Sequence, residues 1–400
     1  MKNLTKIFQQ TSWQVLGKIV TSVSTFIILG LVARNYGKDG TGIFTLALTY
    51  LAIFYLLVDF GFNAHVLKRI KNQELRIKEE WKRLLGTRII WSGVLVVLAL
   101  GLLPFLPFAT PQFSSAIWFG VLAILGSAIF TTCNLIFQSK LRYDLSILAS
   151  SIGTVISLGI FLFLIKTNYP VPFLLIAHLS GWFLIALVAL YLIRQKIIPI
   201  FDKPYTINLF KDSWPIAATL ALNVLYFRAD AFLIAYFKPI ADVGIYNVAY
   251  SVFQSALVLP TFIMNSYYPM MLKSLGGIKW VSLGLFGLAL IGTLLTFFFA
   301  PLIIKILTGG GFSGSVNSLQ ILSFSFPAFF LSSLLMWLLI AKNKYKSMFL
   351  LYTSGLILNL ILNFIFIPQY SFIAASWITV ISEYVILLMQ IFLLRDIIAK

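Results

Sequence analysis

Five ionisable side chains stand inside long apolar runs of this 400-residue chain: Lys18, Asp59, Arg228, Asp230 and Glu383. A carboxylate held away from water can bind a proton or a cation, and a cation so held can take an anion, so chemistry is expected at these five. Facing lipid they would cost roughly 2.5–3.5 kcal/mol each, on the order of 12–17 kcal/mol together, as much as the whole stability of a typical domain. The sequence therefore predicts that they face a polar interior. Other chemistry is poorly provided for. Cys133 is the single cysteine, His65 and His178 are far apart without H-E-x-x-H spacing, and no D-x-D, paired-carboxylate loop or nucleotide-binding glycine motif occurs. No catalytic residue, metal site or cofactor is expected, and the chain is not read as an enzyme.

Helical spacing tests the polar interior, because a helix lining it carries polar residues three and four apart. Thr11, Gln14, Lys18, Thr21 or Ser22, and Thr25 form one such face, and Thr45, Thr49, Asp59 and Asn63 a second. Thr219, Asn223, Tyr226 or Phe227, and Asp230 form a third; Asn247, Ser251 and Gln254, with Asn265 beyond, a fourth; Ser376, Thr379, Glu383 and Gln390 a fifth. Asn359 and Asn363 lie one turn apart. Arg228 is about 200° around the helix from Asp230, so a local ion pair is geometrically poor, and it reaches another helix or the outer headgroups. Lys18, ~10 Å from one membrane edge, either lines a cavity or snorkels to headgroups. Asp59 either acts in the interior or caps and pairs with the basic segment that follows. His178 is read as an interhelical hydrogen bonder. The expected substrate contacts are Gln14, Lys18, Thr21, Thr25, Asn223, Arg228, Asn247, Gln254, Asn359 and Asn363; the expected coupling or cavity charges are Asp59, Asp230 and Glu383.

The elements that position these residues follow from composition. Hydrophobic residues make up 60% of the chain and charged ones 10%, and the mean hydropathy is +0.97, so its principal solvent is lipid. Backbone groups in lipid must be satisfied internally, and apolar runs of about 20 residues select helices over a barrel. Spans are predicted near 11–33, 42–64, 89–109, 114–138, 145–165, 171–193, 213–236, 243–264, 280–304, 316–341, 347–367 and 371–394. With the N-terminus inside, 23 of the 30 Lys and Arg residues fall in cytoplasmic segments and 5 outside, which fixes both termini as cytoplasmic. The net charge of +18 is thus topological, spread over alternate loops, and nucleic acid is excluded as a partner. The basic segment from His65 to Arg88 is read as an interfacial helix against anionic headgroups. Pro260, Pro301 and Pro327 would allow kinks.

The chain also repeats. An offset of 201 or 202 residues aligns Ser12-Trp13 with Ser213-Trp214, Gly42-Ile43 with Gly244-Ile245, Ala47 with Ala249, Lys140 with Lys342, Tyr143 with Tyr345 and Gly153 with Gly355. Two six-helix halves are predicted, 1–200 and 201–400, related by an axis along the membrane normal, with a substrate site between them and alternating access by rocking.

Several stretches resemble the Wzx-like polysaccharide flippase family of the MOP superfamily, which is related to MurJ and the MATE transporters. They are Ala33-Arg34-Asn35-Tyr36-Gly37, Gly42-Ile43-Phe44, Asp59-Phe60-Gly61-Phe62, Arg228-Ala229-Asp230, Val243-Gly244-Ile245-Tyr246-Asn247-Val248-Ala249-Tyr250 with Pro260 and Pro269, Lys342-Asn343-Lys344-Tyr345, and Asn359 to Pro368. The resemblance implies a V-shaped bundle of about twelve helices in a bacterial or archaeal plasma membrane. Its implied cargo is an undecaprenyl-diphosphate-linked oligosaccharide, carried from the cytoplasmic to the outer leaflet. It further implies that cavity cations engage the diphosphate, Lys18 being suitably placed, and that a glycan polymerase or other assembly protein is a partner. The competing expectations are a MATE-type cation-coupled exporter of small molecules and a membrane glycan polymerase or glycosyltransferase. The short outer segments argue against the last.

Overall fold

A computed structural model describes residues 2–70, 74–194, 198–272, 274 and 277–398, with side chains placed except at 2–12, 14–16, 18, 74–76, 223, 269, 345 and 396–398. Helix fills it and no strand occurs among the described residues. In chain order the helices are α1 (Lys2–Asp59), α2 (Phe62–Ile70), α3 (Glu74–Leu102), α4 (Pro111–Gly120), α5 (Ala123–Ser139), α6 (Tyr143–Lys166), α7 (Leu174–Ile193), α8 (Lys203–Phe237), α9 (Ile240–Ala256), α10 (Val258–Met271), α11 (Ile278–Thr308), α12 (Ser313–Ser323), α13 (Phe326–Ala341) and α14 (Tyr345–Ile398).

Eight stretches are long and apolar enough to cross a membrane. Two of these, the 52 residues Ile19–Ile70 and the 50 residues Lys346–Arg395, would run about 75 Å if straight, over twice the ~30 Å hydrocarbon thickness. Each contains a break, at Gly37 (φ 65°) in α1 and Ser371 (φ 52°) in α14, and so supplies two crossings. Two bent pairs, Lys203–Leu222 with Val224–Phe237 and Ser313–Ser323 with Phe326–Ala341, supply one each. Together these accommodate twelve. The outward faces are apolar: on α11, Ile291, Phe298 and Ile306 are 59%, 70% and 63% exposed, which suits lipid and would be untenable in water. The segment from His65 to Arg88 is not a loop around a separate helix, since the described part of it is the end of α2 and the first half of α3.

The chain separates into two compact units, Met1–Asn35 with Ile43–Val224, and Tyr36–Gly42 with Leu225–Lys400. The 202-residue offset recurs in backbone detail. Shifting α4 and α5 by 202 gives the bounds of α12 and α13 to within a residue. The turns that follow share one hydrogen-bond pattern: Arg142 N–H donates to Phe137 O (2.8 Å) and Lys344 N–H to Leu339 O (2.9 Å), across left-handed Leu141 (φ 52°) and Asn343 (φ 56°).

Within the second unit, Tyr36–Gly42 runs across the start of α9 at a distance only glycine permits. A Cβ at Gly42 would lie 2.0 Å from Ile240 O, and one at Gly244 would lie 2.2 Å from Lys38 O. The two contacts interchange under the 202 offset. Both obstacles are backbone, so no rotamer change relieves them. Gly42→Ala is expected to lower the thermal midpoint of the purified protein by several degrees, whereas Gly284→Ala, whose Cβ meets nothing within 4 Å, leaves it near wild type. Equal midpoints for the two variants would contradict the close crossing.

Candidate functional site

In the first unit α1 stops at Asp59, and Phe60 (φ 47°) and Gly61 (φ 72°) turn the chain into α2. A helix end leaves carbonyls without partners, and here Arg88 of α3, wholly buried, supplies the donors. Its Nε donates to Val58 O (3.3 Å), and its Nη2 to Asp59 O (3.2 Å) and Asp59 Oδ1 (3.3 Å). Its Nη1 donates to Asn63 Oδ1 (2.9 Å) and Thr132 Oγ1 (3.3 Å). Asn63 in turn donates Nδ2 to Thr131 O (2.8 Å), and the guanidinium lies 5.5 Å over the Phe62 ring. Asp59 is thus the counter-ion of a buried arginine that caps its own helix, an arrangement in which the guanidinium's planar fork satisfies several acceptors at once.

The second unit gathers the other two carboxylates. Asp230 on α8 is 3% exposed and accepts from Tyr246 Oη of α9 (2.7 Å), Asn363 Nδ2 (2.7 Å) and Thr379 Oγ1 (3.3 Å) of α14. Asn363 also donates Nδ2 to Asn359 Oδ1 (3.0 Å), and Asn359 Nδ2 reaches Ser382 Oγ (3.4 Å). Tyr246 and Asn363 donate to Asp230, while the single hydroxyl proton of Thr379 is shared with Ala375 O (3.0 Å). Asn363 Oδ1 is buried without a hydrogen-bond partner. Glu383, 4% exposed, accepts from Tyr226 Oη (2.7 Å). Two buried carboxylates, from α8 and α14, therefore sit in one packed interior. The stripe Ser376, Thr379, Glu383 and Gln390 is buried throughout, so it faces the inside of the second unit.

The remaining expected residues are less concentrated. The side chains of Gln14, Lys18 and Asn223 lie outside the described residues. Thr21 and Thr25 donate back to Gly17 O (3.0 Å) and Thr21 O (2.9 Å) of their own helix. Asn247 is buried and Gln254 half-buried. Arg228 is half-buried, within electrostatic range of Tyr250, and forms no ion pair among those of the described residues. His178 is held between Tyr55 Oη (2.7 Å) and Trp182 Nε1 (3.2 Å), both at Nε2, which assigns the proton to Nδ1. Sequence reasoning missed Arg88 and Tyr246, and placed Tyr226 on a polar face with Asp230 without its bond to Glu383. A signal existed for the first, since Arg88 is followed directly by the apolar run Ile89-Ile90-Trp91.

No group of three His, Cys, Asp or Glu residues that could hold a metal occurs among the described residues.

Many apolar crossings define a multi-pass membrane protein, and solved structures of the MOP superfamily share its fold. The structure superposes on lipid II flippase MurJ in an inward closed conformation with a TM-score of 0.76, covering 95% of this chain and 87% of that one at 14% identity. An inward-facing multidrug resistance MATE family transporter gives 0.76 as well, covering 94% of each chain at 13% identity; at such identities the likeness is one of fold. Over residues 7–275 the sequence matches the family described as polysaccharide biosynthesis protein, and the chain belongs to that family. A Shigella dysenteriae protein assigned as an O-antigen transporter is 23% identical over 341 residues, 82% of this chain and 83% of the relative.

Proposed function

We propose that this chain is a flippase carrying an undecaprenyl-diphosphate-linked oligosaccharide, an O-antigen, capsule or exopolysaccharide repeat unit, from the cytoplasmic to the outer leaflet. The observation that carries the reading is membership of the polysaccharide biosynthesis family over residues 7–275 on a fold shared with a lipid flippase. Bundles 1–200 and 201–400 act as the alternating-access pair, with both termini cytoplasmic in a plasma membrane and a glycan polymerase among the partners. The cation surplus in alternate segments supports that orientation. The test is lipid analysis of a strain lacking the protein. Accumulation of an undecaprenyl-diphosphate oligosaccharide on the inner leaflet is expected, and an unchanged lipid pool overturns the reading.

The cage around Asp230 favours one alternative, a cation-coupled exporter of small molecules, because a desolvated carboxylate ringed by donors exchanges its ligands with a proton or cation. An unchanged lipid pool together with altered drug tolerance in the same strain would select it.

A further inference from the structure

A second polar concentration lies in the first unit, away from the buried carboxylates. A cavity of about 440 Å³ opens between the end of α2, the first turns of α3 and the start of α8, lined by Arg69, Glu80, Arg83, Asp202, Tyr205 and Asn208 among others. Its size is that of small-ligand sites. Two guanidiniums converge there on one aromatic ring, Arg69 Cζ at 5.2 Å and Arg83 Cζ at 5.9 Å from the Tyr205 centroid. Arg69 pairs with Glu80, and Arg83 Nη1 pairs loosely with Asp202 Oδ2 at 3.5 Å. Asp202 is committed further, because its Oδ1 caps α8 by accepting from Tyr205 N–H (3.1 Å).

These ion pairs do not exhaust the arginines. Each guanidinium has five N–H donors, Arg69 and Arg83 remain 40% and 44% exposed, and exposed pairs of this kind contribute about 0–1 kcal/mol. Within the lining Glu80 and Asp202 already balance the two arginines. The cationic surplus lies in the flanking sequence: residues 65–88 hold eight Lys and Arg against three Glu, and among the described ones Arg88 is spent inside the fold. Two forked, half-exposed guanidiniums on one cavity wall suit a phosphate group, whose several oxygens can engage both forks at once.

We propose that this cavity binds a phosphate group, held by Arg69 and Arg83 beside Tyr205. Two sources share that chemistry, an anionic phospholipid headgroup and a soluble diphosphate. Its effect is mechanical. The cavity wall begins α8, and the residues before it are already tied to α3 by Ile200 N–H donating to Lys82 O (3.1 Å). An occupant bridging Arg69, Arg83 and Tyr205 would brace α2, α3 and the start of α8 against one another.

The test uses the full chain purified from membranes. Native mass spectrometry after exchange into phosphatidylcholine vesicles with and without phosphatidylglycerol reads retained lipid, and a thermal shift with inorganic diphosphate reads the soluble arm. Retained phosphatidylglycerol, reduced at least about tenfold in both Arg69→Gln/Arg83→Gln and the charge-keeping Arg69→Lys/Arg83→Lys but not in Lys342→Gln, supports the lipid source. A diphosphate shift lost in the same variants without lipid retention supports the soluble source. Binding of neither probe, or equal binding by the lysine pair, overturns the proposal. Should the glutamine pair fail to fold, the lysine pair carries the test.

Discussion

Arg88→Leu is expected to cost on the order of 3 kcal/mol of stability, the penalty of leaving buried acceptors without donors. The loss has identifiable parts: Val58 O and Asn63 Oδ1 each forfeit a donor in the buried interior and Asp59 O one in a half-buried place, and the turn at Phe60–Gly61 loses the side chain that closes it. Arg88→Lys keeps the charge but not the fork, so it is expected to fall between wild type and the leucine variant. Asp59→Asn should be milder, because the Asp59 side chain is 40% exposed and its backbone carbonyl still accepts. Thermal unfolding in detergent, followed by size-exclusion profile, checks the order. A leucine variant melting with the wild type would show that the α1–α2 turn does not depend on Arg88.

Asp230→Asn is expected to reduce transport at least about tenfold while the protein still inserts and folds. The fold survives because the cage can be re-paired: Asn363 carries a buried oxygen without a partner, and turning the Asn363 and Asn359 amides together lets that oxygen accept from the new NH2 and from Asn359, while Asn359 Oδ1 accepts from Ser382 Oγ. What does not survive is the charge, which the proposed coupling role requires for binding a proton or cation. Glu383→Gln should have a smaller effect, since among the described residues Tyr226 is its one hydrogen-bond donor and a glutamine oxygen can accept from it equally. Uptake into proteoliposomes across a range of external pH and sodium separates the roles. Transport by Asp230→Asn at the wild-type rate, with the wild-type response to both ions, would remove Asp230 from coupling.

Much of the fold is legible in the sequence because lipid imposes a simple rule, and the apolar runs obey it. The offset of 202 is legible for a different reason, since repeated backbone turns such as Leu141 and Asn343 need repeated residues around them. The site divides unevenly. Period-3.6 spacing puts Asn359 and Asn363 one turn apart and Thr379 with Glu383, and the structure brings Asn363 and Thr379 onto Asp230. Spacing within one helix says nothing about which helices meet, so Tyr246 and Tyr226 were invisible as partners of the two carboxylates. Arg88 was obscured by its neighbours: at the end of a cationic segment, it reads as one more cytoplasmic charge until tertiary structure shows the helix end it covers. The cavity at Tyr205 was half legible: the cationic segment that supplies Arg69 and Arg83 reads as facing anionic headgroups, but Asp202 and Tyr205, more than a hundred positions on, carry no signal that they meet it.

The exchanged glycine contacts of Gly42 and Gly244 have a consequence for how such a chain can change. Each repeat supplies the backbone against which the other's glycine rests, so neither copy is free to drift alone. A bulkier residue accepted at 42 would need a shift of the α9 backbone at 240, and one at 244 a shift at 38. In a duplicated sequence that has otherwise diverged widely, these two positions are expected to be inherited as a couple.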